Sequence, residues 1–245
     1  IYIKMKSINY KNLYLELSAL NSAITFLTII KLPLKNFSPS ASVKYFPVVG
    51  LFIGIILYTI GTINHFLTPL LQLIFLIVIT GALHLDGLAD ASDAIFSHRS
   101  LEEKLNIMKD SHIGTMGVIS IFIVLAAKFS AFSHINNNIL LIFVPFYSRL
   151  AMLIAIYFLP YLRQNSINKE FFEKKSFTLW LPILFIIIIS FFTDFRTFFI
   201  FVITLIITIL LIYYFKRTFQ GLTGDILDFI CETTESLLLL SIVLF

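Results

Sequence analysis

Long apolar segments dominate this sequence and most constrain its fold. A helix of about 20 apolar residues crosses a hydrocarbon layer of about 30 Å. Inside that layer every backbone polar group must be paired within the protein, which favours helices. We therefore predict an all-α, polytopic integral membrane helical bundle of about six to seven transmembrane helices. The clearest apolar segments are 45–64, 66–85, 113–135, 139–159, 179–192 and 197–215.

The two ends of the chain are less apolar than the middle. Residues 13–30 are interrupted by Glu16, Asn21 and Ser22, so we interpret them as an N-terminal interfacial or re-entrant helix that ends at Pro33. Residues 225–245 are polar in their first half and apolar in their second. Because no Pro/Gly/Ser-rich linker interrupts the chain, we predict one membrane-embedded domain over residues 1–245.

Composition excludes several classes of protein. Hydrophobic residues make up 58% of the chain and charged residues 13%, whereas a soluble domain has about 25% charged residues. This excludes a soluble enzyme, a disordered protein and a disulfide scaffold. The net charge of +4 does not indicate a nucleic-acid partner, because the Lys and Arg residues lie between the apolar segments. The expected partner is the lipid bilayer.

The distribution of Lys and Arg predicts which loops face the cytoplasm. Four alternate loops, 33–44, 86–112, 161–178 and 216–224, contain eleven Lys and Arg residues, whereas the intervening turns contain only Arg196. Basic residues remain on the cytoplasmic side of a membrane protein. We therefore expect these four loops to be cytoplasmic.

Seven of the fourteen acidic residues lie in two short stretches, 84–93 and 221–235, and the first stretch predicts a metal site. Asp86, Asp90 and Asp93 have the spacing i, i+4, i+7, which places them on one helix face. Three adjacent carboxylates repel each other unless a cation lies between them, and clustered carboxylate oxygens suit Mg²⁺ or Mn²⁺. We predict that these aspartates are catalytic and ligate Mg²⁺. The alternative is a helix cap with a solvated acidic face.

A second polar element follows at the start of the third apolar segment. Lys109, Asp110 and Ser111 precede Gly114 and Gly117. We expect Asp110 or Ser111 to cap the helix, and the free backbone N–H groups with Lys109 to form an anion site for substrate. Asp110 is also a candidate for the metal cluster. The alternative is simple helix capping, with small residues at a helix contact.

The second acidic stretch lies near the C-terminus. Asp228, Glu232 and Glu235 repeat the i, i+4, i+7 spacing, and Asp225 lies one turn earlier. We predict that Asp225, Glu232 and Glu235 contact substrate; the alternative is a polar helix end in the membrane interface.

Arg149 lies inside an apolar segment and needs an anionic partner, either one of these carboxylates or a substrate phosphate. Lys128 also lies within a segment, where snorkelling to the interface is an equal alternative.

These motifs together resemble the cobalamin synthase family, whose members are adenosylcobinamide-GDP ribazoletransferases. The resemblance rests on HLDGLADASD at 84–93, then RS and MKDSHIGTMG at 108–117, then TGD at 223–225 with Glu232 and Glu235. TFLTIIKLP at 25–33 and YFPVVGLFIG at 45–54 extend it upstream, so that it covers nearly the whole chain. Two positions depart from the expected pattern: Ala94 and Asp228 stand where glycine is expected.

The resemblance implies a reaction and its participants. Such an enzyme joins adenosylcobinamide-GDP to α-ribazole or its 5′-phosphate, with Mg²⁺, and forms adenosylcobalamin or its 5′-phosphate and GMP. It implies a multi-pass protein of the bacterial cytoplasmic (inner) membrane. Carried over by motif, the family's functional positions fall on Asp86, Asp90 and Asp93, on Lys109, Asp110 and Ser111, and on Asp225 and Glu235.

Two other functions are compatible with parts of the pattern. A CDP-alcohol phosphotransferase also has an Asp-rich membrane motif, but its Asp-Gly is followed by an Ala-Arg pair that is missing after Asp86-Gly87. A cation-coupled transporter predicts acids in the middle of spans and a repeated architecture, whereas the first cluster here lies at a cytoplasmic end. The choice between α-ribazole and its phosphate stays open, as do the number of metal ions and the formation of oligomers.

Overall fold

The computed structural model describes residues 10–32, 39–135, 139–163, 169–173 and 195–244, and these are α-helical apart from short turns and loops. The helices are α1 (Tyr10–Leu27), α2 (Pro39–Ser42), α3 (Phe46–Gly61), α4 (Thr68–Thr80), α5 (Leu83–Phe96), α6 (Leu101–Ile107), α7 (Thr115–His134), α8 (Phe143–Phe158), α9 (Lys169–Glu173), α10 (Phe195–Thr218) and α11 (Gly224–Val243). The predicted all-α membrane bundle is confirmed.

Helix length and composition support a membrane protein. Four stretches are long and apolar enough to cross a membrane: Pro39–Gly61, Thr115–His134, Ile139–Phe158 and Phe195–Thr218. A fifth is possible if the bent pair of α4 and α5 forms one span. The predicted segment 179–192 lies outside the described residues, so the total of six to seven spans stays a prediction.

The second predicted span is not a straight helix, and here the prediction was wrong. Helix α4 ends at Thr80, and α5 leaves it at an angle of 84°. Gly81 and Ala82 both adopt left-handed backbone conformations, with φ of 60° and 57°. Such a conformation ends a helix, so the chain turns before the acidic stretch begins. The bend sends α5 into the bundle, where it packs between α7 and α11.

Helix α8 forms the centre of the bundle. Its residues from Phe143 to Ile156 are all buried, and it packs against α3, α10 and α11. By contrast, α7 and α10 expose large apolar side chains, such as Phe122 and Leu210. Helices with an exposed apolar face outside a buried central helix are what a bilayer environment requires.

The N-terminal helix α1 contains the residues that we interpreted as interfacial or re-entrant. Its apolar part, Leu13–Leu27, is shorter than the candidate spans. It packs on α2 and α3, and Glu16 forms a 2.6 Å salt bridge with Lys44. The helix ends at Leu27 instead of continuing to Pro33, which lies outside the described residues.

Candidate active site

The first predicted aspartate face lies on a single helix. Asp86, Asp90 and Asp93 all belong to α5; Asp86 is exposed, and the other two are half-buried. Asp90 interacts electrostatically with Asp86, Asp93 and Asp225, and we call these four residues the aspartate cluster. Within the described part of the chain, neither Asp86 nor Asp90 has a hydrogen bond to its carboxylate. Their oxygens are therefore available to a ligand.

Asp93 has a different environment, because it caps α7. Its two oxygens accept the backbone N–H groups of Gly114, at 2.7 Å, and Gly117, at 2.8 Å. A carboxylate at a helix N-terminus satisfies unpaired N–H groups and is stabilised by the helix dipole. A Cβ atom at Gly114 or Gly117 would lie 2.5 or 2.6 Å from the same carboxylate. The absence of a Cβ at both glycines therefore leaves room for the Asp93 carboxylate.

This arrangement corrects the prediction that Asp110 or Ser111 caps α7. The helix begins at Thr115 with Gly114 as its N-cap, and the cap comes from α5 instead of the preceding residues. We predicted an anion site for substrate at this helix terminus. In the structure the carboxylate of Asp93 occupies that site. Lys109, Asp110 and Ser111 are all exposed. A hydrogen bond from His112, whose Nδ1 lies 2.6 Å from Asp110 Oδ1, lowers the pKa of Asp110.

Asp225 joins the cluster from the first turn of α11. A short parallel pairing holds the segment after α8 beside this turn: Leu162 N–H donates to Leu222 O at 2.9 Å, and Leu222 N–H donates to Pro160 O at 2.8 Å. A Cβ at Gly221 would lie 2.5 Å from Pro160 O, so glycine permits this approach. The pairing places Arg163 next to Asp225, with Nη2 2.7 Å from Oδ2.

Charge is concentrated where α5 and α11 meet. Arg163 lowers the electrostatic energy of both Asp90 and Asp225 when they are ionised. Burial nevertheless raises the pKa of Asp225 to about 6, against the opposing effect of Arg163. Helix α11 is not among the candidate spans. The arrangement thus brings several acids and one arginine together, as binding of a phosphate ester with a cation requires.

Deeper in the bundle, His84 and Asp228 connect α5 to α11. His84 Nδ1 lies 2.7 Å from Asp228 Oδ1, and both residues are buried. Gly87 makes this contact possible, because a Cβ there would lie 2.6 Å from the Asp228 carboxylate.

Glu232 and Glu235 lie further along α11 in a buried ion-pair network with Lys128 and Arg149. Lys128 Nζ lies 2.7 Å from both Glu232 Oε2 and Glu235 Oε1. Arg149 pairs with the other oxygen of Glu235, which also accepts a 3.0 Å hydrogen bond from the Ser148 hydroxyl. Arg149 is 0% exposed and Lys128 3%. Of the alternatives considered for Arg149, the structure selects a carboxylate partner, and Lys128 does not snorkel.

A small cavity of about 10 Å³ adjoins this network, lined by residues that include Thr80, Lys128, Glu232 and Glu235. That volume admits about one water molecule. The network is therefore enclosed, whereas the aspartate cluster reaches the surface at Asp86. Contact of Arg149, Glu232 or Glu235 with substrate stays a prediction.

Sequence reasoning placed Arg163 only in a basic loop and left Lys128 open. No local pattern marks Arg163, since its partner Asp225 is 62 residues away. Lys128 did carry a signal: a cation within an apolar segment predicts a buried counter-ion. Two glutamates at i, i+3 in another apolar helix were the available partners.

The aspartate cluster has the chemistry of a magnesium site without forming a closed one. Among the described residues, no three Asp, Glu, His or Cys side chains are close enough together to hold a metal ion by themselves. Mg²⁺ is usually bound by one or two carboxylates, with substrate phosphate oxygens and waters completing its shell. Asp86 and Asp90 offer two carboxylates, and Mg²⁺ between them stays a prediction.

Comparisons with known proteins identify the family. The sequence model for cobalamin-5-phosphate synthase (CobS) matches residues 19–243. The chain is 33% identical to an adenosylcobinamide-GDP ribazoletransferase of Desulfitobacterium hafniense (strain Y51), over 89% of this chain and 93% of the relative. It is 33% identical to the protein of that name from Clostridium perfringens (strain SM101), over 92% and 98% of the two chains. The corresponding protein of Clostridioides difficile (strain 630) is 34% identical over 83% and 87%.

No solved structure matches the chain. The family match extends from within α1 to the end of α11 and therefore includes the aspartate cluster, the capped start of α7 and the buried ion-pair network. The chain belongs to the cobalamin-5-phosphate synthase family.

Proposed function

We propose that this chain is an adenosylcobinamide-GDP ribazoletransferase that catalyses the final nucleotide-loop assembly step of cobalamin biosynthesis. The substrates are adenosylcobinamide-GDP and α-ribazole or its 5′-phosphate. The proposal rests on one observation: Asp86, Asp90 and Asp225 lie close together beside Arg163, within the region that the family model matches. This arrangement suits a pyrophosphate substrate, which needs charge neutralisation more than a covalent intermediate.

The reaction exchanges one phosphorus–oxygen bond for another. A hydroxyl oxygen of the ribazole ribose attacks the phosphorus attached to cobinamide. The bond from that phosphorus to the bridging oxygen breaks, and GMP leaves with that oxygen. The hydroxyl proton passes to a carboxylate of the aspartate cluster, which acts as general base. Atoms and charge balance without a redox partner.

Mg²⁺ belongs to this proposal, with Asp86 and Asp90 as its protein ligands. Their carboxylates have no competing hydrogen bonds in the described residues, whereas both oxygens of Asp93 already accept N–H groups. The ion would neutralise charge on the attacking and leaving oxygens. The role of Asp93 is to hold the start of α7 against α5.

We also propose that the protein lies in the bacterial cytoplasmic (inner) membrane with the aspartate cluster on the cytoplasmic side. The support is the excess of Lys and Arg in the loops that adjoin the cluster. A cytoplasmic opening gives a water-soluble nucleotide substrate access to α5.

The test uses the full chain purified in detergent. Adenosylcobinamide-GDP, α-ribazole and Mg²⁺ are supplied, and GMP and cobalamin are followed by chromatography with and without EDTA. We expect equal amounts of both products in Mg²⁺ and none in EDTA. A parallel reaction with α-ribazole 5′-phosphate shows which acceptor is preferred.

Absence of product from a folded, monodisperse preparation would refute the proposed reaction. A CDP-alcohol substrate would then be tried. Product formation that continues in EDTA would refute the magnesium part alone. Because detergent removes any transmembrane gradient, turnover there also excludes a mechanism that needs ion coupling.

A further inference from the structure

Arg163 is the side chain that joins the three segments of the candidate site. It lies just after α8, and its Nη2 donates to Asp225 Oδ2 at 2.7 Å and to Met108 O at 3.1 Å. Met108 begins the loop that leads to α7, and Asp225 begins α11. One guanidinium thus connects the chain after α8, the loop before α7 and the first turn of α11.

This arginine is also the cation that the aspartate cluster meets. It stabilises the ionised forms of Asp90 and Asp225, although among the described residues it forms a direct salt bridge only with Asp225. A phosphate that approaches Asp86 and Asp90 would therefore meet Arg163 as well. Arg163 would add to the positive charge that Mg²⁺ supplies there, since carboxylates alone repel a pyrophosphate.

Arg163 retains donors that the fold does not use. Both of its hydrogen bonds in the described residues come from Nη2, and Nε is buried without a partner there. A guanidinium has five N–H donors in a planar fork that matches two phosphate oxygens. Nη1 forms no hydrogen bond among the described residues, so it can donate to a phosphate oxygen while Nη2 keeps its salt bridge to Asp225.

The cations chosen from the sequence are less suitable for this contact. Arg149 is 0% exposed and paired with Glu235 in the buried ion-pair network. Lys109 is exposed in the loop before α7 and offers a flexible ammonium without the fork. By contrast, the Arg163 side chain is 25% exposed and lies beside the cluster.

We infer that Arg163 binds the pyrophosphate of the nucleotide substrate. This inference rests on the proposed function, because it assigns a substrate contact at the same site. It predicts that loss of the guanidinium weakens binding of a guanosine diphosphate group. Since the residue contacts substrate before and during the reaction, its loss should raise KM for adenosylcobinamide-GDP more than it lowers kcat.

The experiment measures binding of GDP, in Mg²⁺, to purified wild-type protein and to the variants Arg163→Gln, Arg163→Lys and Arg217→Gln. Arg217 is the matched control, since it is exposed in the last turn of α10. We expect Arg163→Gln to weaken GDP binding about tenfold or more, because a charge-assisted hydrogen bond is lost. Arg163→Lys keeps the charge without the fork and should fall between, and Arg217→Gln should bind as wild type does.

Folding is checked by size-exclusion chromatography and thermal unfolding, because Arg163 also holds the loop of Met108. If Arg163→Gln is not monodisperse, Arg163→Lys decides, with an expected loss of about threefold. Equal GDP affinity in folded Arg163 variants and wild type would overturn the inference, and so would a wild-type protein that binds no GDP. The product assay is separate: product formation with unchanged GDP binding refutes only the part of Arg163, whereas no product refutes the proposed function.

Discussion

The three aspartates on one face of α5 have different roles in this protein. Asp86 and Asp90 present unpaired carboxylates within the described ranges, whereas Asp93, one turn further, closes the start of α7. Spacing along α5 does not separate these parts, because all three share one face. The neighbouring helix α7 distinguishes them, because of the three aspartates Asp93 alone accepts backbone N–H groups at the start of α7.

At this scale we predict that Asp86→Asn or Asp90→Asn abolishes turnover while the protein still inserts and folds. The amide keeps the shape of the side chain but removes the charge that holds a cation. GMP release by purified variants is the measurement, with thermal unfolding to show that the fold is retained. Glu102→Gln, an exposed acid in α6, is the control. Near wild-type activity in either aspartate variant would refute its assignment as a magnesium ligand.

Contacts between whole helices depend on small residues and on buried charge. Helix α5 approaches α7 at Gly114 and Gly117 and approaches α11 at Gly87. In each place a carboxylate occupies the space next to the missing Cβ. The acids are therefore part of the helix packing as well as part of the site.

Gly117→Ala is expected to separate α5 from α7. The new Cβ would lie 2.6 Å from Asp93 Oδ2 and 3.2 Å from Ala89 Cβ, and overpacking of this kind costs about 1–3 kcal/mol. We predict a lower free energy of unfolding in detergent and reduced GMP release. Gly224→Ala is the control, because a Cβ there has nothing within 4 Å among the described residues. Similar stability of the two variants would show that the contact tolerates the extra carbon.

The buried ion-pair network connects α11 to α7 and α8. It contains two cations and two anions, so that it is electrically neutral within the bundle. Glu235 pairs with both cations, whereas Glu232 pairs only with Lys128 among the described residues. Removal of Lys128 therefore leaves Glu232 as an unpaired buried charge.

We predict that Lys128→Met lowers the free energy of unfolding by about 3–5 kcal/mol, the usual effect of an unpaired buried charge. The double variant Lys128→Met with Glu232→Gln should recover part of this loss, since the unpaired charge is gone. Thermal or denaturant unfolding in detergent measures both, with Lys216→Met, at an exposed position in α10, as the control. A double variant no more stable than the single one would contradict the pairing.

At the scale of the whole molecule, the apolar surface of the bundle is arranged to face the lipid of a membrane. The central helix α8 is buried on all sides, and the large apolar side chains of α7 and α10 face outward. The aspartate cluster and the α3–α4 turn lie at opposite ends of the bundle in the proposed topology. Their sidedness can therefore be tested independently of catalysis.

Cysteine labelling tests this topology. The only cysteine, Cys231, is buried, and Cys231→Ser provides a background for single substitutions at Glu102 in α6 and Asn64 in the α3–α4 turn. A membrane-impermeant maleimide should label Asn64→Cys in intact cells and Glu102→Cys only in inside-out vesicles. The reverse pattern would place the aspartate cluster on the outer side and contradict the proposed localisation.

The helical segments and the shared face of the three aspartates were predictable from the sequence, because both are local. Hydropathy identified 197–215, which is contained in α10 (Phe195–Thr218), and a period of 3.6 residues placed Asp86, Asp90 and Asp93 together. The bend at Gly81 and Ala82 was missed, since apolar residues continue through it and hydropathy does not detect backbone dihedral angles.

Tertiary structure alone decided which charges meet. Asp225 pairs with Arg163 across 62 residues and Glu235 with Arg149 across 86, so neither pair has a local signal. In an apolar interior each buried charge needs a partner, and the sequence established that a partner must exist for Arg149 but left Lys128 open. Only the packing of α11 against α5, α7 and α8 determined that Glu232 and Glu235 enclose those cations, while Asp225 and Arg163 remain beside Asp86 and Asp90.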